Sequence, residues 1–185
     1  GETSYEGHNR LLDYKMLVTG GDSAIGRAAA IAYAKEGADV AINYLPSEEQ
    51  DAQEVKAVIE KAGRKAILIP GDIRDEQFNY DLVEQAYKEL GGLDNVTLVA
   101  GYQQYHDKLE EFDTQSFKET FETNVYPVFW TVQKALDYLQ PGASITTTSS
   151  VQGYNPNPLI HDYAASKAAI ISLTKSFSEQ LGEQG

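Results

Sequence analysis

Cysteine is absent from the chain. That removes disulfides, thiolate metal sites and cysteine nucleophiles together, and it suits a reducing, cytoplasmic setting. Basic residues are scarce: 15 Lys and Arg against 28 Asp and Glu leave a formal charge of −13. A surface this acidic repels phosphate backbones, so nucleic acid and anionic membranes are poor general partners. A local pocket for one nucleotide stays compatible with it. Long apolar runs are also missing. The richest stretches, near 28–34 and 125–132, fall far short of the ~20 residues a membrane helix needs. Residues 1–14 are polar and lack the apolar centre of a signal peptide. No carboxylate and histidine spacing suggests a metal, and none is expected. His106 and His161 read as surface or loop residues rather than substrate contacts.

What remains is an ordinary globular composition, 42% hydrophobic and 23% charged in 185 residues. This is one domain's worth of chain. Residues 1–14 read as an irregular arm and 15–185 as a single domain. The periodicity alternates from there. Strands are expected at Lys15 to Thr19, Asp39 to Tyr44, Ala66 to Ile69, Asn95 to Ala100 and Ser144 to Thr148. Helices are expected from Ala24 to Glu36, from Pro46 and Ser47 to Ala62, and from Asp75 to Leu90. A long one follows from Thr114 to Leu139, and a last one from His161 to Leu181. Nearly unbroken apolar strands are buried on both faces, which implies a parallel sheet between helix layers. The expected class is α/β: a doubly wound parallel sheet, three-layer α/β/α, of the Rossmann type.

The first strand runs into Thr19-Gly20-Gly21-Asp22-Ser23-Ala24-Ile25-Gly26 and then a helix. A glycine-rich turn lets backbone approach a pyrophosphate, and the helix start offers N–H groups and a positive dipole end. The alternative is a tight turn with no ligand. Gly71-Asp72-Ile73 closes the third strand, where the carboxylate either accepts from an adenine amino group or caps a turn. Ala100-Gly101 closes the fourth, leaving room for a ribose. An acid to hold both ribose hydroxyls is missing about 20 residues after the loop; Asn43-Tyr44 stands there instead. NAD and NADP are therefore both open.

Tyr163-Ala164-Ala165-Ser166-Lys167 puts a phenol and an ammonium on one helix face. The ammonium favours phenolate and lowers the tyrosine pKa from about 10 toward working pH, which makes it a usable acid and base. An exposed helix pair is the bland alternative. Ser150 ends the fifth strand, and Asn124 lies inside the long helix, where asparagine is a poor former. The loop, Asp72, Gly101 and Ser150 all fall at strand carboxyl ends, where open parallel sheets bind ligands.

This set resembles the short-chain dehydrogenase/reductase family, from about Leu12 onward. The T-G-x-x-x-(G)-x-G spacing resembles its simple oxidoreductase branch rather than the epimerase branch, whose spacing is T-G-x-x-G-x-x-G. The wording GGDSAIGRAAAIAYAKEGADVAINYLP and TTTSSVQGY is similar to its glucose/ribitol-dehydrogenase-like subgroup. The resemblance implies a catalytic tetrad. Tyr163 exchanges a proton with the substrate oxygen, and Ser150 holds that oxygen. Lys167 lowers the tyrosine pKa and binds the nicotinamide ribose, and Asn124 organises a water. It also implies NAD or NADP as cofactor, a small alcohol or carbonyl substrate, and a homodimer or homotetramer built on the helices 114–139 and 161–181. A non-catalytic dinucleotide-binding sensor or scaffold is the alternative. Three features depart from the family pattern: Ala24 replaces its middle glycine, Leu98-Val99-Ala100-Gly101 replaces N-N-A-G, and family members run about two strands and a lid beyond Gly185. The natural protein is accordingly expected to continue with a strand beside Ser144 to Thr148. Near the mouth of the site, Tyr102, Gln103, Gln104, Tyr154 and Asn155 read equally as polyol contacts or wet loop.

Overall fold

The structure, a computed structural model, describes residues 6–20, 24–99 and 113–147. Five strands form one parallel sheet: β1 Lys15–Thr19, β2 Asp39–Tyr44, β3 Ala66–Pro70, β4 Asn95–Leu98 and β5 Ser144–Thr147. Their spatial order is β3-β2-β1-β4-β5. The chain therefore winds outward in one direction, returns to the middle, and winds outward in the other. β1 lies at the centre, with Leu17 opposite Ala41 on one side and Val96 on the other.

Side chains alternate across each strand, and here both sides are covered. Met16, Val18, Val40 and Ile42 pack under α1 (Ala24–Lys35) and α2 (Glu49–Lys61), against Ala30, Ile31, Ala34, Val55 and Ile59. Leu17, Ala41, Ile69 and Val96 pack on the other face against α3 (Glu76–Leu90) and α5 (Tyr126–Ala135), among Leu82, Val83, Ala86, Val128 and Val132. Each buried Val, Leu, Ile or Met among them contributes about 1.5–3 kcal/mol, and each alanine less. This is the three-layer α/β/α fold expected from the unbroken apolar strands.

Local chemistry sets the helix ends. Asp75 caps α3, its carboxylate accepting from the Phe78 N–H at 2.8 Å. Gly91 ends the same helix in the left-handed region at φ 79°, a conformation that suits glycine. A single 3-10 turn, Pro46–Glu48, precedes α2. Residues 6–14 dock on the chain rather than trailing from it. The buried Glu36 carboxylate accepts from the His8 and Arg10 backbone N–H groups at 3.1 and 3.0 Å.

The long helix expected over 114–139 is two helices. α4 covers Thr114–Asn124, Val125 is a break, and α5 ends at Ala135. Pro127 is the cause. It has no N–H for an upstream carbonyl and its ring collides with the preceding turn. In the first turn of α5 that N–H has no partner to lose, so the proline starts a helix there. Asn124 is thus the last residue of α4. β4 stops at Leu98, two residues short of the expected end. Thr148 and the helix expected over 161–181 lie outside the described residues, as do 100–112.

Candidate functional site

Thr19, Asn43 and Tyr44 lie at the carboxyl ends of β1 and β2, and Asp72 and Ile73 just beyond that of β3. Thr19, the last residue of β1, is 2% exposed, and its Oγ1 accepts from the Val99 N–H at 3.1 Å. Gly20 follows at φ 63°. A Cβ there would lie 2.9 Å from the Val99 carbonyl oxygen, so the left-handed turn is both conformationally and sterically a glycine position. α1 begins at Ala24, its first turn without acidic residues. Ile25 is exposed and Gly26 buried. β1 and the start of α1 thus flank this segment at the point where the strand order reverses. Gly21, Asp22 and Ser23 lie outside the described residues.

On the β2–β3 side, Asn43 and Tyr44 turn inward. Both are 2% exposed. The Asn43 amide donates to the Ile69 and Gly71 carbonyls, each at 3.2 Å, tying the end of β2 to β3. The Tyr44 hydroxyl donates to the Glu49 carboxylate. Burial, and then that carboxylate, push the Tyr44 pKa far above its ordinary value, so this phenol stays protonated and is no acid or base. Both side chains are committed to intramolecular bonds.

Asp72 remains partly exposed, in the loop after β3, and Ile73 packs partly against the core. The Arg74 guanidinium grips Asp72, Nε to Oδ2 at 3.0 Å and Nη2 to Oδ2 at 2.7 Å. That bond holds the Asp72 carboxyl below the usual carboxylate range against the opposing effect of burial. Asn124 is wholly buried at the end of α4. The sequence reading missed Arg74 and Glu49. A basic residue two positions from Asp72, and acids clustered after Tyr44, were the available signals. Ser150, Tyr163, Lys167, Ala100 and Gly101 lie outside the described residues. Among the described residues no cluster of His, Asp and Glu is arranged to hold a metal, and no helix is long and apolar enough to cross a membrane.

The sequence profile of the short chain dehydrogenase family matches residues 15–185. The chain belongs to that family. Curated relatives of this short-chain dehydrogenase include the uncharacterized oxidoreductase YhxD of Bacillus subtilis, 59% identical over 185 residues, which are all of this chain and 62% of that protein. They also include the uncharacterized oxidoreductase YghA of Escherichia coli, 55% identical over all of this chain and 63% of that one. This chain therefore spans less than two thirds of the length of these relatives. Among solved structures, a short chain dehydrogenase from Burkholderia cenocepacia in complex with NADP is 36% identical, with a TM-score of 0.90 over 95% of this chain and 71% of that one. For a short-chain dehydrogenase a nicotinamide dinucleotide is the implied cofactor. The left-handed Gly20, the start of α1 at Ala24 and the strand-end loop of Asp72 fit one.

Proposed function

We propose that this short-chain dehydrogenase interconverts an alcohol and a carbonyl compound by hydride transfer with NAD or NADP. The observation that carries the reading is Gly20. Its left-handed conformation, and the 2.9 Å that a Cβ there would leave to the Val99 carbonyl oxygen, reserve for glycine the position that opens the strand-to-helix turn where a pyrophosphate would lie. Thr19 to Gly26 would hold that pyrophosphate. Asp72 and Ile73 would border the adenine, the backbone at Asn43 and Tyr44 its ribose, and Ala100 and Gly101 the far side.

A bound nicotinamide supplies or accepts the hydride. The chain's own residues handle the proton. Tyr163 gives it to the substrate oxygen in reduction and takes it back in oxidation. Ser150 holds that oxygen by a hydrogen bond. Lys167 lowers the Tyr163 pKa and binds a ribose hydroxyl, and Asn124 orients a water that passes the proton outward. Tyr44, with its raised pKa, has no part in this.

Assembly belongs to the same proposal. Phe117 on α4, Tyr126 and Phe129 on α5, and Leu136 just past its end are 40–46% exposed. Aromatic side chains of this kind favour a contact between copies of the chain, which supports a homodimer or homotetramer.

The test is titration of the full-length protein with NADH and NADPH, followed by assay against a panel of aldehydes, ketones and polyols. Binding followed by carbonyl-dependent oxidation of the nucleotide supports the reading. Binding without turnover on any carbonyl or alcohol favours a sensor or scaffold, and no binding rejects both.

A further inference from the structure

We propose that Asn79 is a positioning residue for the adenine side of the site, holding the loop after β3 in shape and clamping it to α5 through Thr131. The inference rests on the dinucleotide reading above. Asn79 lies on the inner face of α3, in helical register with Leu82, Val83, Ala86 and Leu90, and is wholly buried. An amide in such a place costs stability unless its polar atoms find partners. Here they do. Nδ2 donates to the Ile73 carbonyl at 2.7 Å and to the Asp75 carbonyl at 2.8 Å. Oδ1 accepts from the Thr131 hydroxyl at 3.0 Å, and Thr131 is also wholly buried. Both amide N–H groups are used, and the oxygen is tied to a second helix.

A leucine would fill the same face of α3 and pack against α5 without these bonds. What the amide adds is control of the Ile73 carbonyl, and so of the loop that presents Asp72. Two neighbours act on the same loop. Asp75 caps α3 through the Phe78 N–H, and the Phe78 ring lies against Gly71 so closely that a Cβ there would be 2.2 Å from it. The loop's shape is therefore set from beneath by the first turn of α3. The bond to Thr131 carries the constraint on the Ile73 carbonyl across to α5, the helix that also exposes Tyr126 and Phe129.

The test uses the full-length protein, with titration calorimetry of NADH, NADPH and ADP and amide exchange over 71–75. Asn79→Leu and Thr131→Val should each raise the dissociation constants of dinucleotide and ADP about tenfold, the size of one lost buried hydrogen bond. Exchange at Ile73 to Asp75 should quicken. Thr131→Ser, which keeps the hydroxyl, should bind as the wild type does. Leu82→Ala, on the same helix face but with no bond to the loop, controls for plain loss of stability and should change affinity less than about twofold. Wild-type protein that binds no dinucleotide overturns the functional reading and this inference with it. Wild-type binding with unchanged affinity in Asn79→Leu and Thr131→Val, or an equal loss in Leu82→Ala, overturns the inference alone.

Discussion

The Val99 N–H donates to the Thr19 hydroxyl over 3.1 Å, joining the ends of two neighbouring parallel strands. Val99 is already past the end of β4, so this bond does what a ladder bond would have done one residue later. It also fixes the Val99 carbonyl beside Gly20, which is why that glycine has so little room.

Gly20→Ala should consequently lose stability and nucleotide affinity together. A left-handed alanine costs about 1–2 kcal/mol, and the contact with the Val99 oxygen adds to it. In a chain of this size the melting midpoint should fall by roughly 2–8 °C. Calorimetric melting and NADH titration check this; an unchanged midpoint would remove the close approach from the argument.

Tyr163→Phe should lower turnover by roughly 10²–10⁴-fold while the nucleotide still binds, because only the proton-transferring oxygen is lost. Steady-state kinetics beside fluorescence titration separate the two effects. Turnover at the wild-type rate would end the assignment of Tyr163.

Acid should weaken the amino-terminal end of β2 through Asp39. Burial works to raise its pKa, but bonds from Lys15 and the Lys65 N–H, with the charges of Lys15 and Arg64, outweigh that and hold it below its ordinary value. The unfolded chain therefore binds the Asp39 proton more readily. The stabilisation is complete above the unfolded value of about 3.9 and is lost as pH falls through the lower folded pKa. Asp39→Asn should cost about 1–3 kcal/mol at pH 7, with the gap from wild type closing as pH drops from 5 toward 2. Urea midpoints across that range measure it, and a gap that widens in acid would contradict the sign.

Phe129→Glu should shift the protein toward smaller species without unfolding it, since the side chain is 46% exposed within one chain. Sedimentation velocity beside circular dichroism reads both. A wild-type monomer, or a variant that assembles unchanged, would take α5 out of the contact.

The strands were legible because β1, β2 and β4 are buried on both faces, and a buried strand writes itself as an unbroken apolar run. Gly91 and Asp75 marked helix ends for reasons of backbone conformation and capping that do not depend on the rest of the fold. The break at Val125 was equally written, in Pro127, but the apolar spacing on either side of it masked the signal. Asn43 and Tyr44 show a different limit. Their place at the end of β2 was legible, yet that the Asn43 amide turns to neighbouring carbonyls depends on β3, some 26 residues further on. Asn79 shows the reverse: an asparagine in the apolar register of Leu82, Val83 and Ala86 is visible in the sequence, but its partner Thr131 is not.

The order of the strands also bears on how the chain comes together in time. β1 meets β2 after 24 residues, Lys15 beside Asp39, and β3 joins soon after. Its other neighbour is 79 residues away, Met16 beside Asn95. During synthesis, which proceeds from the N-terminus, half of the sheet can assemble while β1 still shows a bare edge. Closing the larger loop costs more entropy and comes later. The Thr19–Val99 bond belongs to that late step, so the turn at Gly20 takes its final shape only when the second half of the sheet has docked. A chain arrested before β4 would hold the glycine turn without the wall it leans on, and its central strand would be the surface on which misassembly begins.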